Sequence, residues 1–177
     1  RVLFRSIFCM LELRPLRNKD EVALRHYVEA WYHNNEPIVP NNTDLANYTS
    51  FKHMVEELNN KGVHKDWVPT TTLFCFKNDE IVGAVDIRHQ LNQRLTNIGG
   101  HVGYGVVKSQ RGQGIALYML KEAKKILKEL NVDKVLMTCN PKNYASQAVI
   151  KHCAGYEIAP YIKKNGQLVS RFEIPND

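Results

Sequence analysis

The chain has 177 residues and a formal net charge of +6; 44% of its residues are hydrophobic and 24% are charged. This length suits one folded core and is short for two domains. No segment approaches the run of about 18 apolar residues that a membrane-spanning helix needs. The composition therefore predicts one globular domain and argues against a membrane-spanning protein.

The first nine residues, 1–9, precede Met10 and contain an apolar run that is too short for a secretory signal. A strand-like segment follows Met10 at once. We therefore expect residues 1–9 to be a non-native leader and residues 10–177 to form the domain. Without Arg1 and Arg5, 22 basic residues face 18 acidic ones, which leaves a mild net charge of +4.

Charge and cysteine spacing exclude several kinds of partner. The basic helix face Lys121–Lys128 has only Tyr118 beside it, whereas nucleic-acid binding is better supported by interleaved aromatic residues. The four cysteines, at positions 9, 75, 139 and 153, lack the spacing of a metal site. We expect reduced thiols in a cytoplasmic protein with no metal, nucleic-acid or membrane partner.

The first half of the chain predicts a strand followed by two helices. Leu11–Arg14 alternates and stops at Pro15, as a short strand does. A first helix begins at Asn18 or Asp20 and ends at Asn34-Asn35. A second helix opens at Asn41–Asp44, and Gly62 can end it.

The second half of the chain alternates between strand and helix signals. Segments 70–77 and 80–89 form an antiparallel hairpin, because Asn78-Asp79 is a turn signal. We expect a loop over 90–100 and a central strand over 101–107. The remaining predicted elements are a helix over 115–130, a strand over 134–138, a helix over 143–152, and strands over 156–162 and 168–174.

The most informative segment is Ser109–Ala116, a glycine-rich turn between a predicted strand and a predicted helix. Backbone N–H groups at such a helix N-terminus have no intrahelical partner and bind anions such as a pyrophosphate. A Walker loop would need lysine and a hydroxyl residue where Ile115-Ala116 stand, and a dinucleotide fingerprint would need glycine at Leu117. A turn without any ligand stays the alternative.

Two blocks of this sequence resemble the GNAT acetyltransferase superfamily. Arg111, Gly114 and Ala116 match its pyrophosphate loop, Arg-x-x-Gly-x-Gly/Ala. Asn143 and Ser146 resemble its second cofactor segment, a helix that ends here near Gly155-Tyr156. The resemblance runs from about Met10 to the C-terminus and favours a bacterial branch of the superfamily, on three further segments: Trp67–Pro69, Arg88–Asn92 and Gly99–Val106.

The resemblance implies a single-domain α/β fold with a mixed, mostly antiparallel sheet flanked by helices. The strand before the turn would carry a bulge and splay from its neighbour, and the pantetheine arm of acetyl-coenzyme A (acetyl-CoA) would enter the gap. A main-chain N–H near Val106 would polarise the thioester. The implied cofactor-binding residues are Tyr104, Gly105, Val106, Val107, Arg111, Gly112, Gln113, Gly114, Ile115, Ala116, Asn143 and Ser146.

The resemblance also implies transfer of an acetyl group to a primary amine, for which a base is needed. The position of the family's usual acidic residue is held by His101, and a histidine can act as a base near neutral pH. A structural role for His101 is the open alternative. His89 is the second candidate for a catalytic residue, and Arg88 is a candidate for binding a carboxylate or phosphate of the acceptor.

The family's usual acid is missing, because Ile150 stands where many members have a tyrosine that protonates the departing thiolate. We expect the thiolate to leave without help, since its pKa is not far above cellular pH. Tyr104, Tyr144 and Tyr156 are the phenols that could replace the missing acid.

Two other functions compete with acetyl transfer. A catalytically silent acyl-CoA-binding regulatory module would explain Ile150, and a nucleotide-binding protein could use the same glycine turn. The acceptor, a small-molecule or peptide amine, is not encoded in a readable motif. The oligomeric state is equally open, a homodimer being one option.

Overall fold

The structure, a computed structural model, describes residues 11–60 and 68–177. The predicted leader 1–9, the predicted helix end at Gly62 and the family-like residue Trp67 lie outside the described residues. No helix in the described ranges is both long enough and apolar enough to cross a membrane.

Four antiparallel strands form the first sheet, in the order β1-β2-β3-β4. The tight hairpin between β2 and β3 is confirmed: Asn78 and Asp79 have φ values of 52° and 66°, as a turn matched to the twist of the flanking strands requires. The strands are β1 Leu11–Arg14, β2 Thr70–Lys77, β3 Glu80–Arg88 and β4 Val102–Val106.

The second sheet is also antiparallel and has the order β5-β7-β6. Its strands are β5 Lys134–Cys139, β6 Tyr156–Ile162 and β7 Leu168–Pro175. The two sheets meet where Gly100 bridges to Met137 and the N–H of His101 donates to the Leu136 carbonyl at 2.8 Å. Beyond this point β4 pairs with β3 alone among the described strands.

The expected α/β domain with mostly antiparallel pairing and a splayed strand pair is thus confirmed. The expected sheet was mixed, but every ladder in the described ranges is antiparallel, so the parallel part of that expectation is not found there. The bulge expected in β4 is not there. Its register with β3 runs regularly from Gly83–Val106 to Ile87–Val102. The irregularity in this sheet lies instead in β2, between Cys75 and Phe76.

Helices cover both faces of the first sheet. Tyr27 of α1 packs edge-on against Phe74, with ring centroids 6.1 Å apart. Ala84 is the register partner of Phe74 and shares its face, so the adjacent residue Gly83 lies on the opposite face of the sheet. Met119 of α4 packs against Gly83 on that opposite face. The helices are α1 Glu21–His33, α2 Phe51–Asn59, α3 Gln93–Asn97, α4 Ile115–Glu129 and α5 Tyr144–His152.

Two predicted boundaries are wrong. The second helix begins at Phe51 rather than at 41, because Ser50 provides its N-cap, whereas Asp44 caps only a short 3₁₀ turn. The segment 90–100 is not all loop: Asn92 accepts a hydrogen bond from the Leu95 N–H and starts α3. In both places polar residues that predict turns act as caps.

Candidate active site

A groove of about 740 Å³ opens where β4 leaves β5. The start of α4 and the glycine turn lie at one end, and the segment after α1 covers one side. The first turns of α5 line the opposite wall. The groove-lining residues include Glu36, Val39, Arg88, Ile98, Gly103–Val106, Arg111, Gly112, Gly114–Leu117, Thr138, Cys139, Asn143, Ser146 and Val149.

The glycine turn has the geometry of an anion site. Gly112 and Gly114 have φ values of +77° and +81°, and a Cβ added at either would have no atom of the described residues within 4 Å. Gly114 is the N-cap of α4, and no side chain in residues 11–60 and 68–177 caps that helix. The first N–H groups of α4, at residues 115–117, have no intrahelical acceptor and lie at the groove.

Two members of the predicted phosphate loop, Arg111 and Gln113, direct their side chains to protein partners and not to the N–H groups of the turn. Arg111 donates from Nε to the Val106 carbonyl at 2.9 Å and binds both Glu36 carboxylate oxygens, at 2.5 and 3.3 Å. The hydrogen bonds from Arg111 hold the pKa of Glu36 below its ordinary value. Gln113 accepts from Lys77 Nζ at 2.9 Å and does not line the groove.

The pairing of β4 with β3 decides which backbone groups of β4 face the groove. Arg88 N donates to the His101 carbonyl at 2.7 Å and Val107 N donates to the Val82 carbonyl at 2.9 Å. These bonds set residues 101, 103, 105 and 107 as the hydrogen-bonded positions. The N–H and C=O of Tyr104 and Val106 therefore point away from β3, toward the groove.

This pairing corrects part of the predicted cofactor set. Gly105 and Val107 use their backbone groups on β3, and Val107 is buried outside the groove lining. Gly105 still borders the groove and serves a different purpose: a Cβ there would lie 2.1 Å from the Val39 carbonyl oxygen. Only glycine lets the segment after α1 approach β4 this closely.

Asn143 and Ser146 lie together at the groove wall. The Asn143 side chain caps α5 by accepting from the Ser146 N–H at 3.1 Å. The Ser146 hydroxyl lies 3.1 Å from the Tyr104 hydroxyl. Burial raises the pKa of Tyr104, so its phenol is protonated at neutral pH.

Ile150 is fully buried and lies in the core rather than in the groove. A side chain added at Gly155 would come within 2.4 Å of Ile150 Cγ2. The face of α5 toward the groove carries Ser146 and Val149 instead. A tyrosine at position 150 would therefore not reach the groove without repacking of the core.

His101 is brought next to the groove but does not line it, and only 7% of its surface is exposed. Its Nδ1 accepts the Leu136 N–H at 2.9 Å, which places the proton of the neutral ring on Nε2. Burial lowers the pKa of His101, as does the nearby Arg88 charge. A neutral ring held this way can donate from Nε2 but cannot accept there, which favours the structural role.

His89 lies apart from the groove. Its Nε2 is 2.7 Å from the Thr71 hydroxyl, and its backbone N–H donates to the Pro69 carbonyl. The structure thus places His89 at the end of β3, where it joins β2, and not beside the β4 edge. Its assignment as a second catalytic residue stays a prediction that the geometry does not favour.

Arg88 lines the groove at the end where the two sheets meet. Its Nη1 donates to the carbonyls of Gly99 and Gly100 at 2.9 and 3.2 Å. Burial lowers the pKa of its guanidinium, and the Asp86 charge opposes that effect. The predicted acceptor-binding residue is therefore in the groove, with one end of its guanidinium fixed.

Sequence reasoning missed Asp86 and Glu36. Asp86 is buried, and its Oδ1 accepts from Thr72 at 2.7 Å and from Asn42 at 3.0 Å. Burial raises its pKa. An acidic residue inside an apolar strand was the available signal for Asp86, whereas Glu36 in a polar loop carried none.

No group of three or more metal-binding side chains occurs within residues 11–60 and 68–177. The three cysteines of these ranges, Cys75, Cys139 and Cys153, are free.

A family model described as an acetyltransferase (GNAT) domain matches residues 10–155. No curated protein matches the chain. Among solved structures, a GNAT-family acetyltransferase from Streptococcus pneumoniae superposes with a TM-score of 0.63 at 18% identity, over 93% of this chain and 98% of that one.

Two other similar structures have named activities or ligands. Mycobacterium smegmatis RimJ in complex with CoA-disulfide has a TM-score of 0.66 at 20% identity, over 93% of this chain and 81% of that one. A chimera of spermidine N-acetyltransferase SpeG from Vibrio cholerae and hSSAT has a TM-score of 0.62 at 20% identity, over 94% and 96% of the two chains. The family match over most of the sequence, supported by this shared fold, shows that the chain belongs to the GNAT acetyltransferase family.

Proposed function

We propose that the protein is an N-acetyltransferase that moves the acetyl group of acetyl-CoA to a primary amine in the cytoplasm. One observation carries this proposal: a single groove joins the free N–H groups at the start of α4 to the unpaired edge of β4. Acetyl-CoA supplies an activated thioester. The N–H groups at the start of α4 suit its pyrophosphate, and the edge of β4 suits the amides of its pantetheine arm.

The residues of the chain would act mainly by position and by hydrogen bonding. The Val106 N–H points into the groove from a strand held on its other side by β3, so it is fixed before any ligand binds. Such a donor stabilises the negative charge that develops on a carbonyl oxygen. The Tyr104 N–H and C=O are available to an amide of the pantetheine arm. Rate enhancement would come from orientation and oxyanion stabilisation.

Glu36 is the one carboxylate among the described groove-lining residues, and Arg111 binds both its oxygens. Neither Glu36 nor His101 is therefore a free base in this geometry. The acceptor amine would enter the groove from solvent in its neutral form. The proton that its nitrogen loses as the amide forms would pass to solvent, which balances the proton taken up by the departing thiolate.

The geometry changes the expectation that the thiolate leaves without help, because the Tyr104 phenol lies at the groove wall beside Ser146 and is the phenol best placed to protonate it. Tyr144 and Tyr156 are exposed and do not line the groove, and Tyr156 donates to Glu173 at 2.8 Å. We expect Tyr104→Phe to lower turnover by about 10² or more with unchanged CoA affinity, measured by steady-state kinetics and calorimetry. Tyr144→Phe and Tyr156→Phe are matched controls that should retain activity. Full activity of Tyr104→Phe would mean that the thiolate leaves unaided.

Two substitutions can distinguish a structural role of His101 from a role as the general base. His101→Ala leaves the buried Leu136 N–H without its acceptor and should cost about 1–3 kcal/mol of unfolding free energy. His101→Asn offers Oδ1 in place of Nδ1 and should recover much of that loss. We expect near-normal turnover from the folded Asn variant, measured beside its denaturation curve. A loss of about 10² in turnover by a stable Asn variant would restore the base assignment.

His101 should also make the stability of the fold depend on pH. Because the folded-state pKa of His101 is below its ordinary value of 6.5, the unfolded chain binds this proton more readily. The contribution of His101 to the free energy of unfolding is therefore complete above pH 6.5. It is lost as the pH falls from 6.5 through the lower pKa of the folded state. His101→Asn should flatten this part of the stability curve.

The proposed function is tested by binding and thiol release with the wild-type protein. Calorimetry should show CoA and acetyl-CoA binding in preference to ATP or NAD, and a panel of primary amines should include some that accelerate thiol release. Binding of acetyl-CoA with no amine-dependent thiol release would support the silent regulatory module. A preference for ATP or NAD would contradict both the acetyltransferase and the regulatory-module hypotheses, and it would support a nucleotide-binding protein.

A further inference from the structure

The guanidinium of Arg88 is held at one end only. Its Nη1 donates to two carbonyls of the 99–100 turn, and its Nε and Nη2 make no hydrogen bond within the described residues. Arginine has five N–H donors in a rigid planar fork, so a carboxylate or phosphate can bind to those that remain. The fixed end keeps the fork oriented at the groove.

Among the charged groove-lining residues that the structure describes, Arg88 is the cation without a carboxylate partner. Three charged side chains are among the described groove-lining residues: Glu36, Arg88 and Arg111. Glu36 and Arg111 pair with each other. Asp86 influences Arg88 electrostatically, but among the described residues it forms no ion pair within 4 Å, and its Oδ1 accepts hydrogen bonds from Thr72 and Asn42.

Gly103 leaves space in front of this guanidinium. A Cβ at Gly103 would stand 3.3 Å from Arg88 Nη2. Gly103 also lies on β4, three residues before Val106, whose N–H faces the groove. A ligand held by Arg88 would therefore lie along the same strand edge as the proposed site of acetyl transfer.

We propose that Arg88 binds an anionic group of the acceptor, so that the substrate is a primary amine that also carries a carboxylate or a phosphate. This inference rests on the proposed acetyl transfer and names its substrate class. A polyamine such as spermidine is disfavoured, because the described groove presents an unpaired cation and its one carboxylate is already neutralised. The acceptor class thus differs from that named for the SpeG chimera.

The test compares matched acceptors by binding and by turnover. A first series consists of glycine, β-alanine, 4-aminobutyrate and 5-aminovalerate, each beside its carboxamide. A second pair is phosphoethanolamine and ethanolamine, and spermidine is added as the polyamine. Binding in the presence of CoA is measured by calorimetry, and thiol release from acetyl-CoA is measured separately. The two series distinguish a carboxylate from a phosphate acceptor.

We expect at least one anionic amine to bind and react roughly tenfold or more better than its neutral counterpart. Arg88→Gln should abolish that preference and weaken binding by a similar factor, with CoA affinity unchanged. Arg88→Lys, which keeps the charge but not the fork, should fall between them. Arg94→Gln is the control, because exposed Arg94 is close enough to affect the pKa of Arg88 but does not line the groove.

Equal binding of the anionic and neutral amines, or a preference that survives in Arg88→Gln, would overturn the inference and leave acetyl transfer intact. A lack of binding by every anionic amine would overturn it as well. The failure of the proposed function looks different: no amine would accelerate thiol release, whereas anion binding that depends on Arg88 would still be measured.

Discussion

Replacing Gly114 by aspartate should reduce acetyl-CoA affinity by about 10²-fold or more. No atom of the described part of the chain lies within 4 Å of a Cβ at Gly114, so the carboxylate would lie at the start of α4, where the pyrophosphate is proposed to bind. Two like charges about 4 Å apart near a protein surface repel by roughly 4 kcal/mol.

Gly114→Asn is the matched control for this substitution. Gly114 has a φ of +81°, and asparagine and aspartate both tolerate this left-handed region better than other side chains. The two variants therefore share most of the backbone strain and differ in charge. Calorimetry with CoA should show a much smaller loss for asparagine, and circular dichroism should show both variants folded. Equal affinities for the two variants would exclude this turn as the phosphate site.

Gly105→Ala should destabilise the whole fold. The added methyl group would lie 2.1 Å from the Val39 carbonyl oxygen and 2.9 Å from the Val39 carbonyl carbon. Since backbone atoms cannot move aside as a side-chain end can, we expect a loss of about 3 kcal/mol or more, or roughly 6–12 °C in Tm for a chain of this size. Thermal unfolding followed by circular dichroism measures this loss.

Gly103→Ala is the companion variant, on the same face of β4. The three atoms nearest to its methyl group would all belong to the Arg88 guanidinium, at 3.3 Å or more. The Gly103→Ala variant should therefore unfold close to the wild-type temperature, while its methyl group fills the space in front of Arg88. Similar stabilities for the two alanine variants would mean that the segment after α1 does not approach β4 as described.

The sequence predicted elements well where local signals and tertiary structure agree. The Asn78-Asp79 turn, the strand before the glycine turn and α4 follow from turn chemistry and from apolar periodicity. The second helix was predicted ten residues too early, because Asn41–Asp44 are good cap residues that here start two short 3₁₀ turns. Local propensity does not reveal which of several caps the chain uses.

For the site, the backbone groups of the glycine turn could be predicted, and the orientation of side chains could not. Arg111 belongs to the motif, but its guanidinium binds Glu36, which is 75 residues away in sequence. His101 has the residue type of a base, yet its Nδ1 accepts from the backbone of β5. Both outcomes depend on long-range contacts, which no spacing along the chain encodes.

The unpaired edge of β4 bears on how this protein avoids aggregation. A free strand edge is a template for pairing with another chain, and proteins blunt such edges with charges, bulges or covering segments. Here the segment carrying Val39 covers one side of the edge, α5 lines the opposite wall, and Arg88 stands near its start. These neighbours narrow the approach to the edge for a second polypeptide strand, which carries side chains on both of its faces. The covering segments therefore protect the edge in the way that edge-covering loops and helices do in other sheets.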